Sequence, residues 1–184
     1  MNTKIKIKKS TKEDSNLFYE IRNNYENRKF SLNSKKINRN NHIIWFNENY
    51  KKNYFYTCFY LEKKIGYIRG EKKSETIIIS IAFLKKFQKK NIASKCFEYF
   101  EKKLKKNYIL LAKVKNINLR SMNFFYKNDF NLLNRGNNYI NLYKISSKNK
   151  DNYLSTIDKI EKIRKGNNVN WVNILRIGFR YSPK

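Results

Sequence analysis

The stretch from Ile77 to Ala93 carries the residues of this chain best suited to holding a phosphorylated ligand. Ile77-Ile78-Ile79 and Ile81 form a β-branched run ending in Ala82-Phe83, the pattern of a buried central strand. A basic loop follows, and helical apolar spacing begins at Ile92. A helix N-terminus leaves several backbone N–H groups without intrahelical partners and carries a partial positive charge, so a strand, loop and helix start in this order offers a diphosphate site. Lys85, Lys86, Lys89 and Lys90 surround it with cations. The turn has to admit a close backbone approach, usually through glycine. Asn91 stands there instead, and asparagine is among the residues that best tolerate a left-handed backbone.

A second group of candidates lies nearer the N-terminus. His42 is the lone histidine, and its ordinary pKa suits a general base near neutral pH. Trp45 follows at i+3 on the same helical face and could stack on a sugar or base, while Arg22, beside Asn23, could pair with a phosphate. The plainer reading makes Trp45 a core residue and His42 a hydrogen-bonded helix-end residue. Cys58 and Cys96 are far apart, with neither CxxC nor Cys/His spacing, so neither a zinc site nor a disulfide framework is indicated. They read as small buried apolar residues of a protein in a reducing compartment.

The elements that position these residues follow from periodicity. Ile5 and Ile7 alternate with lysines as in a half-buried strand, and Ser10 or Thr11 then opens a helix bearing Glu13 and Asp14 in its first turn. A polar stretch spans 23–41, followed by a helix with His42, Trp45, Phe46 and Tyr50. Strands are expected over 54–61 and 65–70 with a turn at Lys63-Lys64, then over 75–83. A helix over 92–104, a strand over 108–114, a helix over 118–127 and a closing strand pair complete an α/β sandwich around a mixed sheet. From about Ser146 the composition loosens. Tyr153, Ile157, Ile160 and Ile163 then form one amphipathic face, so the expected division is a domain over 1–146 and a C-terminal helical extension over 147–184. That extension is read either as a helical hairpin packed on the sheet or as a docking element for a second copy or a pathway enzyme.

The 184 residues carry a net charge of +28, which would ordinarily point to nucleic acid. Lysine, asparagine, isoleucine, tyrosine and phenylalanine share A- and T-rich codons, however, and the lysines are spread from Lys4 to Lys184. Genomic base composition accounts for that pattern. The alternative is a selected polyanion site, for which an acyl-CoA or a nucleotide sugar serves as well as RNA. No nucleic-acid motif is present and the aromatics fall at core spacing, which argues against nucleic acid. No apolar run approaches the roughly 18–20 residues of a membrane span, and the basic N-terminus leads into no signal-like apolar stretch, so the expectation is a soluble cytoplasmic protein.

Gln88-Lys89-Lys90-Asn91-Ile92-Ala93 resembles the Gln/Arg-x-x-Gly-x-Gly/Ala loop with which GNAT acetyltransferases grip the pyrophosphate of acetyl-CoA. Downstream, Asn118-Leu119-Arg120-Ser121 and Asp129-Phe130 resemble that family's second cofactor motif, an Asn-x-x-Ser helix start and a Gly-Phe helix end. The resemblance covers roughly 4–145. It implies the GNAT fold, with a mixed, mostly antiparallel central sheet and helices on both faces. It also implies acetyl-CoA as co-substrate, with cofactor contacts at Ala82, Phe83, Gln88 to Ala93, Asn118 and Ser121, and no metal. Asn91 and Asp129 replace family glycines, both Gly-to-Asx changes at turn positions. Many members carry a tyrosine seven residues after the motif asparagine, as the acid that protonates the departing thiolate. That position here is Phe125, and Tyr126 lies about 100° further round the helix.

Arg22-Asn23 and His42-x-x-Trp45 resemble, more narrowly, the members that N-acetylate nucleotide-linked 4-amino sugars in pseudaminic- and legionaminic-type pathways. This resemblance implies a sugar-nucleotide pocket shaped by Arg22, Asn23, His42 and Trp45. His42 is the candidate base, and the acid is either Tyr126, if the helix start is shifted by one residue, or another group such as water. The implied reaction is direct attack of a small-molecule amine on the thioester, polarised by a backbone N–H near Ala82 to Phe83. The alternatives are a protein N-acetyltransferase, a non-catalytic module of the same fold, and a basic RNA-binding protein.

Overall fold

The computed structural model describes residues 4–88, 91–104 and 108–146, together with Ile160 and Lys162. The chain divides into two compact units, Met1–Ser146 and Ser147–Lys184. The elements below belong to the first. The helical extension expected after Ser146 lies outside the described residues, apart from Ile160 and Lys162, which are helical.

Strand β1 (Ile5–Lys9) leads through a 3₁₀ turn over Lys12–Asp14 into α1 (Ser15–Asn23). The Thr11 backbone N–H donates to Asp14 Oδ2 at 2.9 Å, half of a capping box that fixes where the chain turns helical. A four-residue helix α2 (Tyr25–Arg28) interrupts the polar stretch, and α3 (Arg39–Asn49) starts where Asn38 caps the amides of Asn40 and Asn41. Then come β2 (Tyr54–Tyr60), β3 (Lys63–Lys73), β4 (Thr76–Phe83), α4 (Ile92–Lys103), β5 (Tyr108–Lys115), α5 (Leu119–Lys127), β6 (Asn131–Arg135) and β7 (Tyr139–Ser146). The β2–β3 turn falls at Leu61-Glu62 rather than at Lys63-Lys64. Both turn residues are left-handed (φ 47° and 61°), the backbone that a tight hairpin needs. Neither is Gly, Asn or Asp, so no residue type marks the turn there.

The sheet order is β1-β2-β3-β4-β5-β7-β6. Neighbours pair antiparallel except β4 and β5, which run parallel. Helices cover both faces. Phe18 and Ile21 of α1 and Phe46 of α3 pack on Phe55 and Tyr67, while Ile92, Cys96, Phe97 and Phe100 of α4 and Phe125 of α5 pack on the opposite face. Because side chains alternate along a strand, Arg69 lies on the same face as Tyr67, the α1/α3 face.

The feature that makes a site is a fork in the sheet. β4 and β5 pair only from Thr76 opposite Ile109 to Ile78 opposite Leu111. Beyond that, β4 stays with β3 as far as Phe83, β5 stays with β7 as far as Lys115, and the two halves part. The Ile77–Phe83 run is accordingly not buried on both faces throughout. Ile77 and Ile79 are buried, whereas Ile78 and Ile81 are only half-buried and Ile81 faces a cavity.

Candidate active site

The fork opens into a cavity of about 390 Å³. Backbone direction there follows from strand alternation. Leu84 N donates to Ile65 O at 2.9 Å and Ile109 N to Glu75 O at 3.0 Å, so even-numbered amides of β4 turn toward β3 and odd-numbered ones toward β5. Past the last β5 partner, the N–H groups of Ile81 and Phe83 therefore face the opening. Of the expected pair Ala82 and Phe83, Phe83 alone presents its N–H to the cavity, although both residues line it. Gly66 lies opposite Phe83, and a Cβ there would come 2.5 Å from Ala82 O and closer still to the Phe83 ring. Glycine is what lets β3 run close enough to hold that end of β4.

At the cofactor-like end, Asn91 caps α4 in the left-handed conformation (φ 52°, ψ 7°), the backbone that a glycine would supply. Lys95 N to Asn91 O, 3.1 Å, is the first helical bond. The amides of Ile92, Ala93 and Ser94 consequently have no partner within the helix. The Asn91 side chain is tied to α5, its Oδ1 accepting from Lys127 Nζ at 2.8 Å. Gln88 Nε2 donates to Phe83 O at 2.7 Å, and Gln88 Oε1 accepts from Arg120 Nη1, so one side chain joins the end of β4 to the start of α5. Gln88, Ala93, Asn118 and Ser121 all line the cavity. Ile92 is buried in the core, and Lys89 and Lys90 lie outside the described residues. Asn118 caps α5, accepting from Ser121 N at 3.1 Å, and Asp129 is left-handed (φ 63°).

The other end of the cavity lies on the α1/α3 face. Arg22, Tyr67, Arg69 and Ser80 line it, with the segment from Phe30 to Asn33. Asn23 is outside the cavity and clips that region: its Nδ2 donates to Ile37 O at 3.0 Å and its Oδ1 accepts from Ile37 N at 2.9 Å. Arg22 Nη2 donates to Asn33 O, and Arg69 Nη2 donates to Ser80 Oγ at 3.2 Å. Burial holds Arg22 below the ordinary arginine value, with repulsion from Arg69 and Arg28 adding to it against the pull of Tyr67. Burial pushes the Tyr67 phenol up despite both arginines, so it is neutral at pH 7. Arg22, Arg69, Lys113 and Arg120 line the cavity as a whole, and among the described residues no Asp or Glu does.

Besides Asn23, three expected site residues are placed elsewhere. His42 is buried between α1 and α3 with Nε2 2.9 Å from Ser15 O, and burial is the main cause that lowers its pKa. Trp45 packs against Phe55 and reaches the cavity only indirectly, with the Arg69 guanidinium 5.1 Å above its ring. Tyr126 is 40% exposed, on the side of α5 away from the cavity that Phe125 lines. The residues that sequence reasoning missed are Tyr67, Arg69, Lys113 and Arg120. Arg120 was signalled by its position inside Asn118-x-x-Ser121. Nothing local marks Arg69, which the β3–β4 register sets opposite Ser80.

The model of the Acetyltransferase (GNAT) family matches residues 16–130, well over half the chain. The chain belongs to the GNAT acetyltransferase family. It is thus an acetyl-CoA-dependent N-acetyltransferase, and the forked seven-stranded sheet is the GNAT fold. Solved structures share that fold at low identity. One is yncA from Salmonella typhimurium, solved with its cofactor acetyl-CoA (12% identity, TM-score 0.63, 80% of this chain and 97% of that one). Others are an N-acetyltransferase from Staphylococcus aureus (16%, TM-score 0.62, 78% and 99%) and a ribosomal-protein-alanine N-acetyltransferase from Brucella melitensis (14%, TM-score 0.60, 76% and 99%). No curated protein sequence matches this GNAT chain. Among the described residues no group of three or more His, Cys, Asp or Glu could hold a metal ion, and no helix is long and apolar enough to cross a membrane.

Proposed function

We propose that this GNAT enzyme acetylates the primary amine of a nucleotide-linked 4-amino sugar. The observation that carries the reading is the acceptor end of the cavity, which is lined by Arg22 and Arg69 and, among the described residues, by no carboxylate. That end suits an acceptor carrying phosphate and disfavours a protonated, cationic peptide terminus. The family's pattern at Arg22-Asn23 and Trp45 supports the same class, with Trp45 contributing through Arg69 and Asn23 through the loop it clips.

The residues divide the work as follows. The amides of Ile92 and Ala93, the left-handed turn at Asn91 and the side chains of Gln88 and Arg120 hold the pyrophosphate of the co-substrate. Asn118 and Ser121 wall the cavity on the α5 side. Acetyl-CoA supplies an activated thioester. The Phe83 N–H donates to its carbonyl oxygen, where negative charge grows as the amine attacks. Among the described residues no histidine or carboxylate lines the cavity, and the surrounding guanidinium groups lower the pKa of a bound amine, so the amine reacts in its neutral form. Its proton passes to solvent, and solvent protonates the departing thiolate.

The test is a comparison of acceptors with purified enzyme and acetyl-CoA. UDP- or CMP-linked 4-amino sugars should exceed N-terminal peptides in kcat/KM by about 10-fold or more. Ready acetylation of peptides with no turnover of either sugar nucleotide would overturn the acceptor assignment and leave the acetyltransferase standing.

A further inference from the structure

Two guanidinium nitrogens in the acceptor end are left without a protein acceptor among the described residues. Arg22 Nη1 and Arg69 Nε are both buried, and neither has a hydrogen-bond partner among the described residues. Unmade bonds of this kind are costly in a folded protein, more so when the donor is charged. The surrounding contacts hold each side chain in place without satisfying those atoms. Arg22 is anchored by Nη2 to Asn33 O. Arg69 lies over Trp45, with Nη2 reaching Ser80 Oγ at 3.2 Å and Glu71 Oε1 at 3.4 Å. The two cations share one end of one cavity and repel each other; Glu71 pairs with the far nitrogen of Arg69 from outside the lining, and no Asp or Glu among the described residues lines the cavity. The α4 N-terminus cannot be the reason for them. It packs on the opposite face of the sheet, across the β4–β5 fork.

We infer that Arg22 and Arg69 form a two-guanidinium receptacle for an oxyanion carried by the acceptor, with Trp45 and Ser80 as the residues that position Arg69. This deepens, and rests on, the reading of the acceptor as a nucleotide-linked amine, whose diphosphate is the anion. A fork of N–H donors at fixed geometry is what distinguishes such a site from a diffuse basic surface.

The experiment titrates inorganic pyrophosphate into protein saturated with coenzyme A, so that the α4 loop is filled, and follows heat by calorimetry. Wild type should bind one pyrophosphate. Arg22→Gln and Arg69→Gln should each weaken it about 10- to 100-fold while the affinity for coenzyme A holds. Lys51→Gln, an equal charge change outside the cavity lining, should leave it unaltered. Arg69→Lys keeps the charge and loses the fork, and should fall between wild type and Arg69→Gln. Absence of pyrophosphate binding to the coenzyme A complex, or equal loss in Lys51→Gln and the arginine variants, overturns the receptacle. A site that takes acetate or glutarate but not pyrophosphate keeps the receptacle and rejects the phosphate. Pyrophosphate binding that depends on both arginines, in an enzyme that acetylates no sugar nucleotide, supports the receptacle and rejects the acceptor proposed above.

Discussion

Gly66→Ala tests the claim that the end of β4 is held for catalysis by its close approach to β3. The added Cβ would meet Ala82 O at 2.5 Å and the Phe83 ring more closely, well inside ordinary contact. Ala82 O is backbone within a paired strand, so it cannot swing aside as a side-chain tip would. Relief requires β3 and β4 to part by something like an ångström at Phe83, where the N–H faces the fork. Overpacking of this size costs about 2 kcal/mol, or roughly 4–8 °C in Tm for a domain of this length. The larger effect should be on chemistry, because a displacement of about 1 Å at a positioned donor can cost on the order of 100-fold in rate. Thermal melting, coenzyme A calorimetry and steady-state kinetics together should show a modest Tm loss, little change in coenzyme A affinity, and a large fall in kcat. Unchanged kcat alongside the expected Tm loss would refute the role given to the Phe83 amide.

Further outcomes follow from the same geometry. Asn91→Gly should keep acetyl-CoA affinity, whereas Asn91→Val should weaken it, because a β-branched residue resists φ near 52°; calorimetry decides. His42→Gln should leave the pH dependence of kcat/KM in place, since that limb belongs to the acceptor amine, and Tyr126→Phe should leave kcat within about twofold because Tyr126 is exposed and outside the cavity lining. Burial lowers the His42 pKa, so the unfolded chain binds more protons as pH falls below about 6.5. Wild-type Tm should therefore drop through that range more steeply than that of His42→Gln. RNA binding should be weak and vanish near physiological ionic strength, and sequence-selective nanomolar binding at that salt would show instead that the basicity is selected.

Sequence alone determined the elements, because their signals are local. The Ile92–Phe100 spacing, the Asn118 cap and the β-branched run at 77–81 each depend on neighbours a few residues away. The Asx residues at 91 and 129 announced left-handed turns for the same reason, and both are left-handed. The Leu61-Glu62 turn, also left-handed, was invisible because its residues have no preference for that backbone. What tertiary structure alone decided is which side chains meet. Arg69 and Arg22 are 47 positions apart and share a cavity only because β3 lies beneath α1, while of the helical neighbours His42 and Trp45 the first turns into the α1/α3 interface and the second packs on Phe55 of β2, outside the cavity lining. Periodicity reports that a residue faces an interior. Whether that interior is core or cavity depends on where β4 and β5 stop pairing, and that is set by their competing partners β3 and β7.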